Sequence, residues 1–258
     1  DGTAYAVVSD ADISAGGLLV NGKPKYPIVI SLAAEAIRDD EIAPLTNYVA
    51  AGGFLFVGSS SFTRNPNGTF RGDFAIAAEM GVFMPWPRLG NWVTNSVVWK
   101  HRSNYDHRLT AGLPYGPVYW DIPSSADETS WGESPEHDRL DPHEIWLAEV
   151  TTEDPATILM YGDQEQYLMV KQYGKGYFIY YAPFQPLIGH GGWAPGMYAY
   201  QLFRNAIEWA FENSQAPIAK LSPWPFAYDA AFAIRHDLEN SQFLITNIEA
   251  SAQVEITN

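Results

Sequence analysis

The feature that most constrains the fold is a stretch that reads as strand, helix, glycine stop and strand. The near-continuous apolar run at residues 26–32, YPIVISL, is typical of a strand covered on both faces of a parallel sheet. Acidic residues at 39–41 precede apolar residues at helical spacing, and Gly52-Gly53 ends that helix. The run FLFV at 54–57 predicts the next strand, which leads into Gly58-Ser59-Ser60-Ser61. Two strands joined by a helix form a βαβ unit, so the sequence predicts an α/β fold.

Regular elements return in the last third of the chain. Strands are predicted at 156–161, 167–172 and 177–181, and the turn Tyr173-Gly174-Lys175-Gly176 joins the last two into a hairpin. A helix is predicted at 196–211. Its expected apolar stripe consists of Tyr200, Phe203, Ile207 and Phe211. Two further elements are a strand at Ala4–Val8 and a short helix at Asp73–Met80.

The regular pattern is interrupted between residues 84 and 156. This segment is rich in Pro, Trp, Asp and His and shows little periodicity, so we interpret it as an insertion with strands near 96–99 and 144–150. Residues 214–229 are Pro-rich and are interpreted as a linker, and a new strand begins at Ala230.

Composition excludes several classes of function. Acidic residues outnumber basic ones by 30 to 15, giving a formal net charge of −15 that repels phosphate backbones, so no nucleic-acid partner is expected. No apolar run approaches the roughly 20 residues of a membrane span, so no membrane insertion is expected. The absence of cysteine excludes a Cys nucleophile and disulfides. The many aromatic residues suit a surface that stacks on sugar rings, with core packing as the alternative.

Three stretches carry a resemblance to a known fold. YPIVISLAAEAIRDDEIAPLTNYVAAGGFLFVGSS, DFAIAAEMGVF, and KQYGKGYFIYYAPFQPLIGH followed by LFRNAIEWAF resemble the class I glutamine-amidotransferase-like fold. The similar branches are the ThuA-like proteins and the middle domain of some β-galactosidases. The resemblance implies a flavodoxin-like three-layer α/β sandwich over residues 1–213, with the insertion at about 84–156. By the same comparison AYAVVSDADI looks like the second strand, so another strand and a helix are expected before residue 1. Fold alone implies no reaction.

Candidate site residues in this region are few. Ser60 follows a buried strand as a catalytic serine would, but Phe62 stands where the elbow motif needs Gly, so we interpret Ser60 as a turn or capping residue. His190, in IGHGGW, resembles the Gly-His pair of ThuA-like proteins and is a candidate ligand-binding residue together with Trp193. The alternative is a loop histidine that packs on Trp193.

Two further segments combine histidine with aspartate. HRSNYDH at 101–107 and HDRLDPH at 137–143 each hold residue types that bind metals. Both spacings are irregular for one helix face, where ligands recur four residues apart. We therefore interpret both as solvated loops.

The tail carries a second resemblance. WPFAYDAAFAIRHDLEN resembles the first motif of NodB-type polysaccharide deacetylases, with HD in place of two Asp. This implies that residues 230–258 are the first strand and helix of a truncated deacetylase-like domain, with Asp237 at the metal-ligand position. His236 replaces the usual base, and Glu239 is a fallback base. The alternative is a group of surface charges after an edge strand.

The deacetylase resemblance implies a divalent metal, Zn²⁺ or similar, in the complete parent domain. There it would polarise the acetamide carbonyl. No HxxxH occurs among the six histidines of this chain, so no cofactor is expected in the fragment and the fragment is expected to be inactive.

Together these features predict a non-catalytic accessory domain of a bacterial carbohydrate-active enzyme, with a metal-dependent polysaccharide deacetylase as the parent. Its role would be carbohydrate binding, domain packing or homo-oligomerisation. The alternatives are a ThuA-like enzyme acting on a sugar near His190 and a purely structural scaffold. An extracellular or periplasmic location is expected, with a cytoplasmic one left open.

Overall fold

The predicted βαβ unit forms one end of a mixed sheet. The structure, a computed structural model, describes residues 5–32, 34–84, 93–94, 98–101, 107–113, 117–119, 144–145, 150–152, 157–161, 166–182 and 194–214. Apart from Tyr5 and Ala6, all of these belong to one unit, Val7–Ile218. The described helices are α1 (Asp10–Ser14), α2 (Asp39–Ala50), α3 (Ala77–Met80), a 3-10 helix (Arg108–Thr110) and α4 (Ala194–Asn213).

The described strands are mostly short. They are β1 (Leu19–Val20), β2 (Lys23–Pro24), β3 (Ile28–Ser31), β4 (Phe54–Gly58), β5 (Val82–Phe83), β6 (Val93–Thr94), β7 (Val98–His101), β8 (Pro117–Tyr119), β9 (Glu144–Ile145), β10 (Thr151–Thr152), β11 (Thr157–Tyr161), β12 (Gln166–Tyr173) and β13 (Gly176–Tyr181). The main sheet has the order β3-β4-β13-β12-β11-β7-β8. Strands β3, β4 and β13 are parallel, and the pairs beyond β13 are antiparallel. The predicted α/β class and the β12–β13 hairpin are therefore confirmed.

The parallel strands are covered on both faces, as the apolar runs predict. All five residues of β4 are buried. On one face Phe54 contacts Trp209 of α4, with ring centroids 4.8 Å apart, and Phe56 contacts Phe203 at 5.6 Å. On the opposite face Phe74 packs edge-on against Tyr180 of β13 at 5.4 Å. This places protein layers above and below the sheet, which agrees with the predicted three-layer arrangement.

The β12–β13 turn packs tightly against the end of α2. The Lys175 amide donates to the Ala50 carbonyl at 3.0 Å. A Cβ atom at Gly176 would lie 2.0 Å from the Gly53 carbonyl oxygen, so the backbones approach too closely for any side chain. The glycines that end α2 in the sequence therefore also fix where the hairpin docks.

Two predicted elements differ from the structure. The strand predicted at Ala4–Val8 is wrong, because residues 5–8 form no strand and the side chains of Tyr5 and Val7 are 91% and 90% exposed. Apolar alternation makes a strand only where a neighbour pairs with its backbone, and within the described sheet β3 is the edge strand. The helix predicted at Asp73–Met80 is confined to Ala77–Met80. Before it, the Asp73 carboxylate accepts hydrogen bonds from the amides of Phe74 and Met84.

The apolar stripe predicted for α4 is only partly correct. Tyr200 is 56% exposed, and Phe203, Ile207 and Phe211 are half-buried. The face packed into the protein instead consists of Leu202, Asn205, Ala206, Trp209 and Ala210. Small alanine side chains let the helix approach the sheet, whereas the sequence-based stripe counted only large apolar residues.

Several predictions lie outside the described residues, including the linker at 214–229 and the deacetylase-like segment at 230–258. The strands predicted at 96–99 and 144–150 overlap in part with β7 and β9, and their remaining residues between 95 and 97 and between 146 and 149 lie outside the described part. Among the described helices, none combines the length and the apolar character needed to cross a membrane.

Candidate functional site at the carboxyl edge of the parallel strands

The carboxyl ends of β3 and β4 bring two polar loops together. In open α/β sheets, ligands bind at this edge. The loop after β3, residues 34–37, pairs with residues 62–64 after β4. The Arg64 amide donates to the Glu35 carbonyl at 2.9 Å, and the Ile37 amide donates to the Arg64 carbonyl at 3.0 Å. Backbone pairing thus holds side chains from both loops in fixed positions.

Three side chains meet across these loops, and we name Glu35, Ser60 and Arg64 the edge cluster. Glu35 Oε1 accepts a hydrogen bond from Ser60 Oγ at 2.6 Å, and Glu35 Oε2 accepts one from Arg64 Nε at 2.8 Å. Arg64 also donates to the Gly68 carbonyl at 2.9 Å. The Glu35 and Arg64 side chains are 31% and 33% exposed, so one side of the ion pair faces solvent.

The residue that follows β4 has an uncommon backbone conformation. Ser59 has a φ of +49°, in the left-handed region that non-glycine residues seldom occupy. Its amide donates to the Tyr181 carbonyl at 2.8 Å, and its carbonyl accepts from the Tyr180 hydroxyl at 3.0 Å. Burial raises the pKa of the Tyr180 hydroxyl well above its usual value, so this group remains a donor. Contacts with β13 therefore hold Ser59 in a strained conformation.

The interpretation of Ser60 as a turn residue is confirmed. Residues 59–62 form a turn, in which Ser61 Oγ donates to the Gly58 carbonyl at 2.7 Å. Thr63 Oγ1 donates to the Ser60 carbonyl at 2.6 Å. Sequence reasoning missed Glu35 and Arg64 as members of a site. The sequence feature that marks this edge of the sheet is the polar run Ser59-Ser60-Ser61, which directly follows a buried strand.

The contacts of the edge cluster hold the two loops together, and they do not form an accessible nucleophile with a base. Ser60 is only 5% exposed, which restricts the approach of a substrate carbonyl to its Oγ. Glu35 accepts hydrogen bonds from both Ser60 and Arg64, so both of its carboxylate oxygens already have partners. What remains accessible is the solvent-facing side of an Arg–Glu pair, which carries both donors and acceptors.

The interpretation of the 101–107 segment as a solvated loop is wrong for His107. Its ring is half-buried and lies edge-on to Trp209, with centroids 4.9 Å apart. Nδ1 accepts a hydrogen bond from the Leu109 amide at 3.1 Å, so His107 caps the 3-10 helix. Burial lowers the pKa of this imidazole below its usual value.

Metal-binding side chains do not converge within the described part of the chain, where no group of three or more His, Asp or Glu residues is placed to hold a metal ion. The predicted site residues all lie outside it. They are His190 and Trp193 for ligand binding, His236 and Glu239 for catalysis, and Asp237 for metal binding. These remain predictions, and no metal-dependent step is derived for this chain.

Comparison with known proteins gives only distant likenesses. No protein-family profile and no curated protein matches the chain. Among solved structures, it is similar to a β-galactosidase from Rahnella sp. R3, with 14% identity and a TM-score of 0.48, covering 78% of this chain and 24% of that one. It is also similar to a β-galactosidase from Bacillus circulans sp. alkalophilus, with 15% identity and a TM-score of 0.45, covering 70% of this chain and 22% of that one. A third similar structure is a cytoplasmic protein from Salmonella typhimurium, with 11% identity and a TM-score of 0.45, covering 80% of this chain and 76% of that one.

The chain thus spans about a quarter or less of the length of these β-galactosidases. At such identities and TM-scores the likenesses carry no argument about function. The predicted deacetylase resemblance of residues 230–258 gains no support from them and stays a prediction.

Proposed function

We propose that this protein is a non-catalytic accessory domain that binds neutral carbohydrate at the carboxyl edge of its parallel strands. The edge cluster is the observation that carries the proposal. It offers a half-exposed carboxylate and guanidinium in fixed positions, which suits the paired donor and acceptor character of neighbouring sugar hydroxyls. The net charge of −15 favours a neutral ligand over an anionic one.

The wider setting that we propose is a bacterial carbohydrate-active enzyme, with a metal-dependent polysaccharide deacetylase as the parent. The resemblances of residues 1–213 and 230–258 support it. In that setting Asp237 would contribute one metal ligand, with His236 or Glu239 as the base. An extracellular or periplasmic location fits such a parent. Domain packing and homo-oligomerisation are further roles that this surface would serve.

A second candidate is an enzyme that acts on a sugar, as in the ThuA-like interpretation. The strained backbone of Ser59, directly after β4, favours it, because such strain clusters at reaction centres. Ser59 is only 1% exposed, so a substrate would reach it only after a rearrangement of this edge.

Isothermal titration calorimetry with neutral gluco-, galacto-, manno- and chito-oligosaccharides tests the proposal. We expect at least one class to bind, and Glu35→Gln and Arg64→Gln each to weaken it about tenfold, equivalent to about 1.4 kcal/mol. Arg204→Gln is the matched control, since Arg204 forms an exposed pair with Glu208 on α4, and it should leave the affinity unchanged.

Two results would overturn the proposal. One is the absence of binding to every class of oligosaccharide. The other is turnover of acetylated or glycosidic substrates that disappears in Ser59→Ala, which would establish the enzymatic alternative.

A further inference from the structure

One segment of the insertion, residues 107–113, packs against α4, and we name it the docked turn. Leu109 and Leu113 are 0% and 6% exposed. On α4, the Asn205 side chain donates from Nδ2 to the Leu109 carbonyl at 2.9 Å and to the Ala111 carbonyl at 2.8 Å. The docked turn is therefore held by buried apolar contacts and by two hydrogen bonds from a buried amide.

His107 contributes a contact that depends on its protonation state. Its Nδ1 accepts a hydrogen bond from the Leu109 amide, so the imidazole must be neutral with its proton on Nε2. The same ring packs edge-on against Trp209. Protonation would place an N–H donor opposite the amide donor of Leu109 and a charge inside a half-buried site.

The charged groups around His107 do not favour an additional positive charge on its ring. Arg108 follows His107 directly, and its guanidinium donates to Glu208 at 3.1 Å and to Glu212 at 2.8 Å, both on α4. Glu208 also pairs with Arg204. The two carboxylates thus already face two guanidinium groups, and the cause that lowers the pKa of His107 is burial.

We propose that His107 is a proton-sensitive latch, and that protonation of its Nδ1 releases the docked turn from α4. The turn is docked when His107 is neutral, and acidification opens it without unfolding the sheet. Residues 107–113 thereby gain a freedom of movement in acid that they lack at neutral pH.

The direction of the pH effect follows from the lowered pKa of His107 in the docked turn. The released turn binds the proton more readily than the docked turn, so docking is complete above the ordinary histidine pKa of about 6.5. It weakens as the pH falls from there through the lower pKa of the docked state.

Hydrogen exchange of the full chain, followed by mass spectrometry or NMR at pH 7.5 and pH 5.0 and corrected for intrinsic exchange rates, tests the latch. We expect exchange in residues 107–113 to be at least tenfold faster at pH 5.0, with no change in the β12–β13 hairpin. His107→Asn, whose side-chain oxygen still caps but does not titrate, should stay docked at both pH values. Asn205→Leu should be released at both.

Three outcomes would overturn the proposal. The first is equal protection of the docked turn at both pH values. The second is the same acid-induced release in His107→Asn as in the unsubstituted chain, which would place the responsible group elsewhere. The third is parallel loss of protection in the β12–β13 hairpin, which would mean global unfolding.

Discussion

Asn205 is expected to make a large polar contribution to holding the docked turn on α4. It is 1% exposed, and its Nδ2 supplies both hydrogen bonds to the Leu109 and Ala111 carbonyls. Its Oδ1 accepts from Gln201 Nε2 at 2.9 Å. Substitution by leucine keeps a similar volume but removes both donors, leaving two buried carbonyls without them.

Each unsatisfied buried carbonyl costs about 1–3 kcal/mol, so the loss of both donors in Asn205→Leu should lower the free energy of unfolding by roughly 2–6 kcal/mol. The higher helix propensity of leucine offsets only a few tenths of a kcal/mol. Urea denaturation followed by circular dichroism measures the difference, and a lower m-value should accompany the release of the docked turn in the folded variant.

Asn213 supplies a matched control on the same helix. Among the residues that the structure describes, its side chain bonds to the Trp209 carbonyl, one turn earlier, and the residue is exposed. Asn213→Leu should change the free energy of unfolding by less than about 0.5 kcal/mol. If Asn205→Leu and Asn213→Leu had equal effects, the reasoning about the docked turn would be refuted.

Four further substitutions, at three positions, test the packing around β13. Gly176→Ala should destabilise the protein by more than about 2 kcal/mol, because its Cβ would lie 2.0 Å from the Gly53 carbonyl oxygen; a melting temperature equal to that of the unsubstituted chain would contradict the close approach. Tyr180→Phe removes the hydrogen bond to the Ser59 carbonyl and should cost about 1 kcal/mol in urea denaturation, whereas no loss would mean that the bond contributes nothing. Ser59→Gly should raise the free energy of unfolding by roughly 0.5–1 kcal/mol by relieving the positive φ, while Ser59→Ala should not.

The elements that the sequence predicts well are those set by neighbouring residues. The acidic start, apolar spacing and glycine stop of α2 all lie within one short stretch, and β4 follows it as a single apolar run. The turn at 173–176 defines the hairpin in the same way. Such patterns arise from local periodicity, and folding preserves them.

The candidate site was less predictable because its members are distant in sequence. Glu35 and Arg64 are 29 residues apart and meet only because β3 and β4 are parallel neighbours with their carboxyl ends at one edge. The polar run after β4 marked the place, but not the partner or the left-handed backbone of Ser59. That conformation is imposed by hydrogen bonds to Tyr180 and Tyr181, and Tyr180 lies 121 positions after Ser59 in the sequence.

Local sequence patterns were enough to predict the α/β class, the βαβ unit and the hairpin, and composition was enough for the net negative charge. The buried face of α4, the position of His107 and the joining of the two edge loops depend on tertiary contacts. The physical reason is that burial and hydrogen-bond pairing depend on the order of strands in the sheet. That order brings together residues as far apart as Arg108 and Glu212, which are separated by 104 positions.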